Sequence, residues 1–359
     1  MSLARSSVFT SLTRDWGGRA SMSLGCLSRL TTRRDMLRAT TTFAGGILLS
    51  ELVPWNVLAS ATPTARGGSP QQPSAAPVDP VAKYRADAAT VPVETLKLRD
   101  NMYLLSGPGG NIVVLNGPDG KLLVDTFVST GWTKLKQTLD GLSNAPLKVV
   151  IDTHWHLDHA DNNGPLHDAG ATVLAHENTR KRLSAPQDVT ALGMHFPASP
   201  TNALPQLVFK DSFQLFLNNE DVALGYIPPA HTDTDIYIHF QNANVLHLGD
   251  TFFNGLYPFI DASTAGNING MITATERALK LATSDMKIVP GHGPLGDKPS
   301  LTKWYDMISA VRDRVQKQKA DGKTLPEVVN AKPTAEFDSV WGNGFTKPDF
   351  FVTLVYSTL

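Results

Sequence analysis

The sequence predicts a layered α/β protein, and two observations support that prediction. Short apolar runs bounded by Gly, Pro, Asn and Asp alternate with segments whose apolar residues recur at helical spacing. Histidine and aspartate follow the ends of several of these runs, where layered α/β proteins expose reactive groups on rigidly held loops. A hydrophobic content of 42% across 359 residues is enough to build a sizeable core.

Turn residues divide the segment from Thr95 to Val124 into short apolar runs, which predicts a series of antiparallel strands. Asp100-Asn101 marks one turn, and the glycine-rich residues 106–111 form the next loop. Strands and helices then alternate as far as residue 315. The predicted strands of this later part are 147–151, 170–175, 206–216, 222–227, 235–240, 245–248 and 288–289, and the predicted helices are 133–142, 176–183, 269–282 and an apolar stripe from 301 to 315.

The basic N-terminus predicts an export signal. Thr32-Arg33-Arg34-Asp35-Met36-Leu37 is a twin-arginine pattern, an apolar run follows from Ala39 to Leu49, and small residues stand at Ala59-Ser60-Ala61. We therefore expect residues 1–61 to be a twin-arginine-type signal peptide, with the twin-arginine export machinery as a partner and a periplasmic or exported location. A mitochondrial-type presequence or a first amphipathic helix is the alternative interpretation.

Residues 62–80 predict a flexible linker, because they are rich in Pro, Ser, Gly, Gln and Ala and have too little apolar surface to offset the entropy of ordering. The folded domain is expected to span residues 81–359. The only cysteine, Cys26, lies in the predicted signal. The mature chain would then form no disulfide and offer no thiolate ligand.

Charge is distributed unevenly along the chain. Residues 1–38 contain seven Arg and two Asp, whereas the whole chain has a formal net charge of −1. The part beyond the predicted signal is therefore mildly acidic and gives no electrostatic reason to expect nucleic-acid binding. The apolar run of the signal is too short for a stable membrane span. We expect a small-molecule substrate, and the sequence leaves the oligomeric state open.

One turn, His154-Trp155-His156-Leu157-Asp158-His159, is dense in side chains that bind metals. Neutral imidazole and carboxylate suit zinc, and a catalytic zinc keeps one position open for water. His154 and His156 project the same way in extended backbone and can bind one ion. A bend would direct Asp158 and His159 to a second ion. A solvated polar turn is the alternative, but four ligand-type side chains in six residues favour a metal site.

Three further ligand-type residues, His231, Asp250 and His292, each follow a predicted apolar strand. One such residue alone is more typical of a hydrogen-bonded polar side chain than of a ligand. Together with the turn, they supply enough donors for two metal ions. The remaining histidines are given no metal role, His176 as a predicted helix cap and His167, His195, His239 and His247 for want of a motif partner.

The order of these motifs resembles the metallo-β-lactamase superfamily of zinc hydrolases. The resemblance covers nearly all of residues 93–300 and rests on Asp125, the turn from His154 to His159, His231, Asp250 and His292. It implies a four-layer αββα sandwich, between the α+β and α/β classes, with the metal site at one edge of the two packed sheets. Residues 81–359 would be the catalytic domain, ending in a C-terminal helical extension.

The resemblance also implies two zinc ions (Zn²⁺) per chain and assigns their ligands. His154, His156 and His231 would hold one ion. Asp158, His159 and His292 would hold the other. Asp250 would bridge the two ions, and Asp125 would steady the turn by hydrogen bonds from outside the ligand set.

Two positions depart from the best-known members of that family. Those β-lactamases have cysteine or serine where this chain has Asp250, and a bridging aspartate is typical of glyoxalase II-like thioesterases, lactonases and phosphodiesterases. The basic residue with which many β-lactamases bind the carboxylate of the drug is here Asn254. The fold is therefore more firmly implied than the substrate.

The expected reaction is hydrolysis of a cyclic or activated amide or ester bond by a hydroxide that bridges the two ions, with a β-lactam as the leading guess. Asp158 is the candidate for catalytic proton transfer, ahead of Asp250. A lactonase or a glyoxalase II-like thioesterase is the alternative within this class. From other classes, a mononuclear iron persulfide dioxygenase would use His154, His156 and Asp250 alone, and a noncatalytic exported binding protein would show no turnover.

The walls of the substrate site are expected from one loop and several aromatic side chains. Core packing explains each of these aromatics equally well. The candidates are residues 107–111, Trp155, residues 195–196, Phe252, Phe253 and Tyr257.

Overall fold

The structure, a computed structural model, describes residues 78–359. The predicted signal peptide 1–61 with Cys26, and all but the last residues of the predicted linker 62–80, lie outside the described residues. The first helix begins at Pro80, after Asp79, whose carboxylate accepts a hydrogen bond from the backbone N–H of Val81. Within the described part, no helix combines the length and the apolar content needed to cross a bilayer.

The described residues form helices and strands that alternate through most of the chain. The strands are β1 (Glu94–Arg99), β2 (Met102–Ser106), β3 (Asn111–Leu115), β4 (Lys121–Val124), β5 (Leu147–Ile151), β6 (Thr172–His176), β7 (Gln187–Val189), β8 (Met194–Phe196), β9 (Leu207–Phe209), β10 (Ser212–Leu217), β11 (Glu220–Tyr226), β12 (Ile236–Phe240), β13 (Val245–His247) and β14 (Lys287–Val289). The α-helices are α1 (Pro80–Ala89), α2 (Trp132–Leu142), α3 (Leu157–Ala160), α4 (Asn163–Asp168), α5 (Glu177–Leu183), α6 (Ile268–Leu281), α7 (Lys298–Ala320), α8 (Leu325–Asn330), α9 (Asp338–Trp341) and α10 (Pro348–Ser357).

Two mixed sheets organise the fold. The first has seven strands in the order β1-β2-β3-β4-β5-β6-β9, antiparallel from β1 to β4 and parallel from β4 to β9. The second has five strands in the order β10-β11-β12-β13-β14, antiparallel except for the last pair. The hairpin β7-β8 stands apart from both sheets.

Alternating side chains of the strands build separate apolar layers. On the first sheet, Leu104 and Val113 face the second sheet and pack with its Leu224 and Ile238. Successive side chains of a strand point to opposite faces of the sheet. The neighbouring residues Leu105 and Ile112 therefore lie on the outer face of the first sheet, where they pack against α2. The outer face of the second sheet packs against α6, α7 and α10. The predicted αββα sandwich is thereby confirmed.

Element boundaries differ from the predicted ones at one informative place. Residues 206–216 were expected to form one strand, but the exposed pair Lys210-Asp211 breaks the run. Strand β9 ends the first sheet and β10 opens the second, so the chain changes sheets at this pair. Helix α1 and the hairpin β7-β8 were not predicted at all, because both are short and only weakly periodic.

Candidate metal centre

The seven predicted ligands converge at one edge of the two sheets, just beyond the carboxyl ends of strands. The turn that contains His154 and His159 follows β5 in the first sheet. His231, Asp250 and His292 follow β11, β13 and β14 in the second sheet. Together they form three adjacent, overlapping groups of potential ligands. Within each group, the ligand atoms all lie within 4.8 Å of one another. The groups are His154, His156 and His231; His154, His159 and Asp250; and Asp158, His159 and His292.

The first group, His154, His156 and His231, is named here the closed triad, because its side chains are almost fully buried. Its nitrogens face one another across an interior space. His156 Nδ1 lies 3.2 Å from His154 Nε2 and 2.9 Å from His231 Nε2. Three imidazole nitrogens at such separations surround a point where one cation fits.

Hydrogen bonds behind the closed triad fix which nitrogen of each ring carries its proton. His156 Nε2 donates to the Asp261 carboxylate at 3.1 Å, and His231 Nδ1 donates to the Phe259 carbonyl at 2.8 Å. The hydroxyl of Thr153 donates to a carboxylate, so its oxygen accepts from His154 Nδ1 at 3.0 Å. The opposite nitrogen of each neutral ring therefore presents its lone pair to the interior, as a metal ligand requires.

The second group, Asp158, His159 and His292, is named the open triad, because two of its members reach solvent. The side chains of His292 and Asp158 are 20% and 12% exposed. Asp158 Oδ2 lies 3.4 Å from His292 Nε2 and 3.7 Å from His159 Nε2. His159 Nδ1 donates to Asp125 Oδ2 at 2.8 Å, which again turns the lone pair of Nε2 inward.

Asp250 lies between the two triads. Its Oδ2 atom is 3.5 Å from His231 Nε2 in the closed triad and 3.3 Å from His292 Nε2 in the open triad, while its Oδ1 atom is 3.2 Å from His159 Nε2. One carboxylate thus faces nitrogens of both groups. This is the placement that a bridging ligand would need.

The donor set fits divalent cations on two physical grounds. His159 Nε2 and Asp250 Oδ1 are buried without a hydrogen-bond partner, although they lie 3.2 Å apart, because their mutual geometry does not form a hydrogen bond. Orphaned buried polar atoms are costly unless something coordinates them. Nitrogen and carboxylate donors in this number suit two zinc ions, and no thiolate is needed.

The pKa shifts of the histidines have opposite directions in the two triads. Burial lowers the pKa of His154 well below its ordinary value and lowers the pKa of His231 to about 4. Burial alone would also lower the pKa of His292, but the carboxylates of Asp250 and Asp158 outweigh it and raise that pKa to about 9. Burial opposes ionisation of Asp158, yet His159 and His292 hold its pKa at about 2. The carboxylates therefore stabilise positive charge in the open triad, whereas burial disfavours it in the closed triad, so a cation bound in the open triad would take the place of protons on its histidines.

Two glycines, Gly291 and Gly110, allow the loops that carry the ligands to approach one another without a side chain between them. A Cβ atom at Gly291 would lie 1.9 Å from Asp250 Oδ1, and one at Gly110 would lie 2.7 Å from the carbonyl oxygen of Gly291. Asn111 adds side-chain hydrogen bonds to the carbonyls of Pro290 and Gly293, at 3.0 and 2.8 Å. The predicted substrate loop 107–111 thus also seats the loop that presents His292.

The aromatic residues proposed as substrate walls fall into two groups. Phe252 and Tyr257 belong to the core, where Phe252 packs edge-on against Trp304 and the Tyr257 hydroxyl donates to Asp338. Phe253 is buried in the same cluster, but it also stacks on His292, with ring centroids 5.2 Å apart. Of the two interpretations left open for these aromatics, core packing therefore applies to Phe252 and Tyr257. Trp155 is also buried and meets Phe196 of the β7-β8 hairpin edge to face.

Besides Thr153, which accepts from His154, sequence reasoning missed two side chains that hydrogen-bond to ligand side chains. Asp261 supports His156, and the Tyr84 hydroxyl donates to Asp158 Oδ2 at 3.0 Å. Burial and the neighbouring Asp158 raise the pKa of Tyr84 well above its ordinary value, so the hydroxyl keeps its proton. Neither residue belongs to a motif. Asp125 does occupy its predicted place behind His159 and also accepts from the Thr153 backbone N–H at 2.8 Å.

The histidines left without a metal role lie outside the three ligand groups. His176 caps helix α5, where its ring accepts from the Asn178 backbone N–H at 3.2 Å. His195 pairs with Asp188 across the β7-β8 hairpin at 2.7 Å. None of the unassigned histidines is a member of the potential ligand groups found within residues 78–359.

Comparisons with known proteins agree with this geometry. Residues 105–293 match the family model described as the metallo-beta-lactamase superfamily. The 2,4-dinitroanisole O-demethylase subunit alpha of Nocardioides sp. (strain JS1661) is 24% identical over 163 residues, which are 45% of this chain and 47% of that protein, so the match spans about half of its length. The metallo-beta-lactamase type 2 of Bacillus sp. (strain 170) is 26% identical over 204 residues, which are 55% of this chain and 72% of that protein.

A solved structure shares the fold. A double mutant of the sec-alkyl sulfatase PisA1 superposes with a TM-score of 0.55 at 15% identity, covering 77% of this chain and 51% of that one. The family match covers more than half of the chain and includes the strand ends that carry the candidate ligands. The chain belongs to the metallo-beta-lactamase superfamily.

Proposed function

We propose that this protein is a two-zinc hydrolase that opens a cyclic or activated amide or ester bond. The observation that carries the proposal is the pair of triads with Asp250 between them. Two divalent cations held there would lower the pKa of a bound water toward neutrality and polarise the scissile carbonyl. Together, the seven candidate ligands would supply donors for two such ions.

The residues of the chain would supply orientation and proton transfer. Hydrogen bonds fix three of the ligand rings before substrate arrives, so no reorganisation is needed during the reaction. The donors and acceptors are His156 and Asp261, His231 and the Phe259 carbonyl, and His159 and Asp125. Asp158 lies at the solvent-facing side of the open triad, 12% exposed, whereas Asp250 is buried. Asp158 is therefore the better placed carboxylate to pass a proton to the leaving group.

The substrate proposal rests on the names of two relatives and on two residues, Asn254 and Asp250. A β-lactam is the first candidate, because one relative bears the name of a metallo-beta-lactamase. Asn254 argues against strong binding of a substrate carboxylate at its position, since its amide is neutral and donates to the Pro294 carbonyl at 2.9 Å. A lactone or a thioester is the second candidate, because Asp250 stands where a bridging aspartate would. The name of the other relative adds a nitroaryl methyl ether to the compounds worth testing.

The test is a turnover panel on zinc-loaded protein with one β-lactam, one lactone, one thioester and 2,4-dinitroanisole. We expect hydrolysis of at least one of the first three and its loss on chelation. His292→Ala serves as the matched variant, because it removes one ligand of the open triad. No turnover of any of these compounds by protein that binds two zinc ions would contradict the proposed activity.

Metal content separates this proposal from an iron oxygenase. A mononuclear iron persulfide dioxygenase would hold one iron and would not need His292 or Asp158. The close approach of these two side chains, at 3.4 Å, favours a second ion. We expect about two zinc ions per chain. A single iron, with activity unchanged in His292→Ala, would establish the oxygenase instead.

We also propose export by the twin-arginine route, on the pattern at Arg33-Arg34. Replacing both with lysine should leave the protein in the cytoplasm, because that route recognises the arginine pair. Fractionation of cells that express each form measures the result. Equal periplasmic recovery of the two forms would contradict this location.

A further inference from the structure

Helix α1 lies against the metal-binding turn, although it is far from that turn in sequence. Arg85 forms a two-pronged ion pair with Asp161, at 2.8 and 2.6 Å, directly after α3. The Arg85 carbonyl accepts from the Thr130 hydroxyl at 2.7 Å, and Lys134 Nζ donates to the Ala89 carbonyl at 2.7 Å. The helix is therefore held by several polar contacts that involve none of the candidate ligands.

Tyr84, next to Arg85, makes a different kind of contact. Its hydroxyl donates at 3.0 Å to Asp158 Oδ2, the oxygen that lies 3.4 Å from His292 Nε2 and 3.7 Å from His159 Nε2. The bond is made to the atom that faces the open triad. The hydrogen bond from Tyr84 to Asp158 is not needed to anchor helix α1, because the ion pair between Arg85 and Asp161 already anchors it.

We propose that Tyr84 is a positioning residue that holds Asp158 in the orientation needed to bind the second ion. Ligating carboxylates are oriented by hydrogen bonds from outside the ligand set, and loss of such a partner weakens the metal without removing a ligand. Within the turn, His159 donates through Nδ1 to Asp125, and its Nε2 lies 3.7 Å from Asp158 Oδ2, beyond hydrogen-bond distance, so no side chain of the turn orients Asp158 by a hydrogen bond. The inference rests on the two-ion centre proposed above.

The consequence is selective for one ion. Tyr84 contacts a member of the open triad, whereas the closed triad is supported by Asp261 and the Phe259 carbonyl. Removing the hydroxyl should therefore weaken the second ion and leave the first unchanged. A general loosening of the fold would weaken both, so the ratio of the two affinities identifies the role.

The experiment compares Tyr84→Phe with Tyr305→Phe in the full chain. The control removes a similar hydrogen bond, from the Tyr305 hydroxyl to Glu276 at 2.9 Å, on a surface formed by α6 and α7. Zinc bound per chain is measured against graded concentrations of a competing chelator, and cobalt substitution gives an absorption spectrum for the same titration. We expect Tyr84→Phe to bind the second ion about 10- to 100-fold more weakly, with the first ion and the control unchanged.

Two results would overturn the inference. One is a second zinc bound by Tyr84→Phe within twofold of the unaltered protein. The other is parallel loss of both ions, which would show a structural role. If the unaltered protein itself binds only one ion, the proposed two-ion function fails as well, so the two failures are distinguishable.

Discussion

The closed and open triads would hold their proposed ions by different means. The closed triad consists of three buried histidines whose rings are fixed by Asp261, the Phe259 carbonyl and Thr153. The open triad includes a carboxylate and the partly exposed His292, and part of its support comes from elements far along the chain. The comparison indicates that a first ion would be held by buried, fixed rings, and a second ion by partly exposed side chains that contacts from other elements keep in place.

The largest expected effect breaks the closed triad. His231→Ala removes a buried nitrogen ligand, and activity should fall by about 1,000-fold, since loss of about 4 kcal/mol of transition-state stabilisation corresponds to three factors of ten. His239→Ala, on the neighbouring strand β12, is the control and should stay within about twofold. Steady-state kinetics and zinc content measure both. Two zinc ions and full activity in His231→Ala would contradict the closed triad as a site.

A methyl group placed between the triads should have the next largest effect. Gly291→Ala puts a Cβ atom 1.9 Å from Asp250 Oδ1 and 2.8 Å from the Gly249 backbone, so the shared carboxylate must move. We expect both ions to bind more weakly and the apoprotein to lose about 1–3 kcal/mol of unfolding free energy by overpacking. Gly141→Ala in α2 meets no atom within 4 Å and should be neutral or slightly stabilising. Equal denaturation midpoints for the two variants would count against this close approach.

The support of the closed triad can be weakened without touching a ligand. Asp261→Asn keeps an oxygen that accepts from His156 Nε2 but removes the negative charge. The first ion should then bind about tenfold more weakly, while the second is unchanged. Chelator competition measures both affinities. Asp261→Asn should thus weaken only the first ion, and Tyr84→Phe only the second. Loss of the second ion instead of the first in Asp261→Asn would refute the division into two triads.

The smallest effect is expected from Phe253→Leu. This change removes the aromatic stacking on His292 but keeps an apolar side chain of similar bulk. Aromatic stacking contributes about 0.5–1.5 kcal/mol, so the affinity for the second ion should fall about two- to tenfold. The cobalt titration that resolves the two ions is the measurement. An unchanged second affinity would show that Phe253 is only a packing residue.

Much of the fold and of the ligand set was predictable because both depend on local patterns. The strand β5 and the turn after it follow from an apolar run and four ligand-type residues within six positions. The ligands His231, Asp250 and His292 were found because each follows a strand, and parallel strand ends meet at one sheet edge.

Contacts between distant segments were not predictable from such patterns. Tyr84 and Asp261 reach the ligands from a helix and a loop that contain no motif, and Phe259 contributes only its backbone carbonyl. The break at Lys210-Asp211 was missed because one apolar pattern continues on both sides of it. Tertiary packing decides these features, and a single sequence does not display it.

The ligands come from both halves of the sandwich, four from the turn after β5 in the first sheet and three from strand ends of the second. Bound ions would therefore act as a cross-link between the sheets, one that can form only after the segments around residues 154 and 292 have met. Such long-range closure is slow, and it places metal loading at the end of folding rather than at its start. Metal uptake during refolding should accordingly follow the recovery of tertiary structure, and full occupancy would report that both halves have assembled.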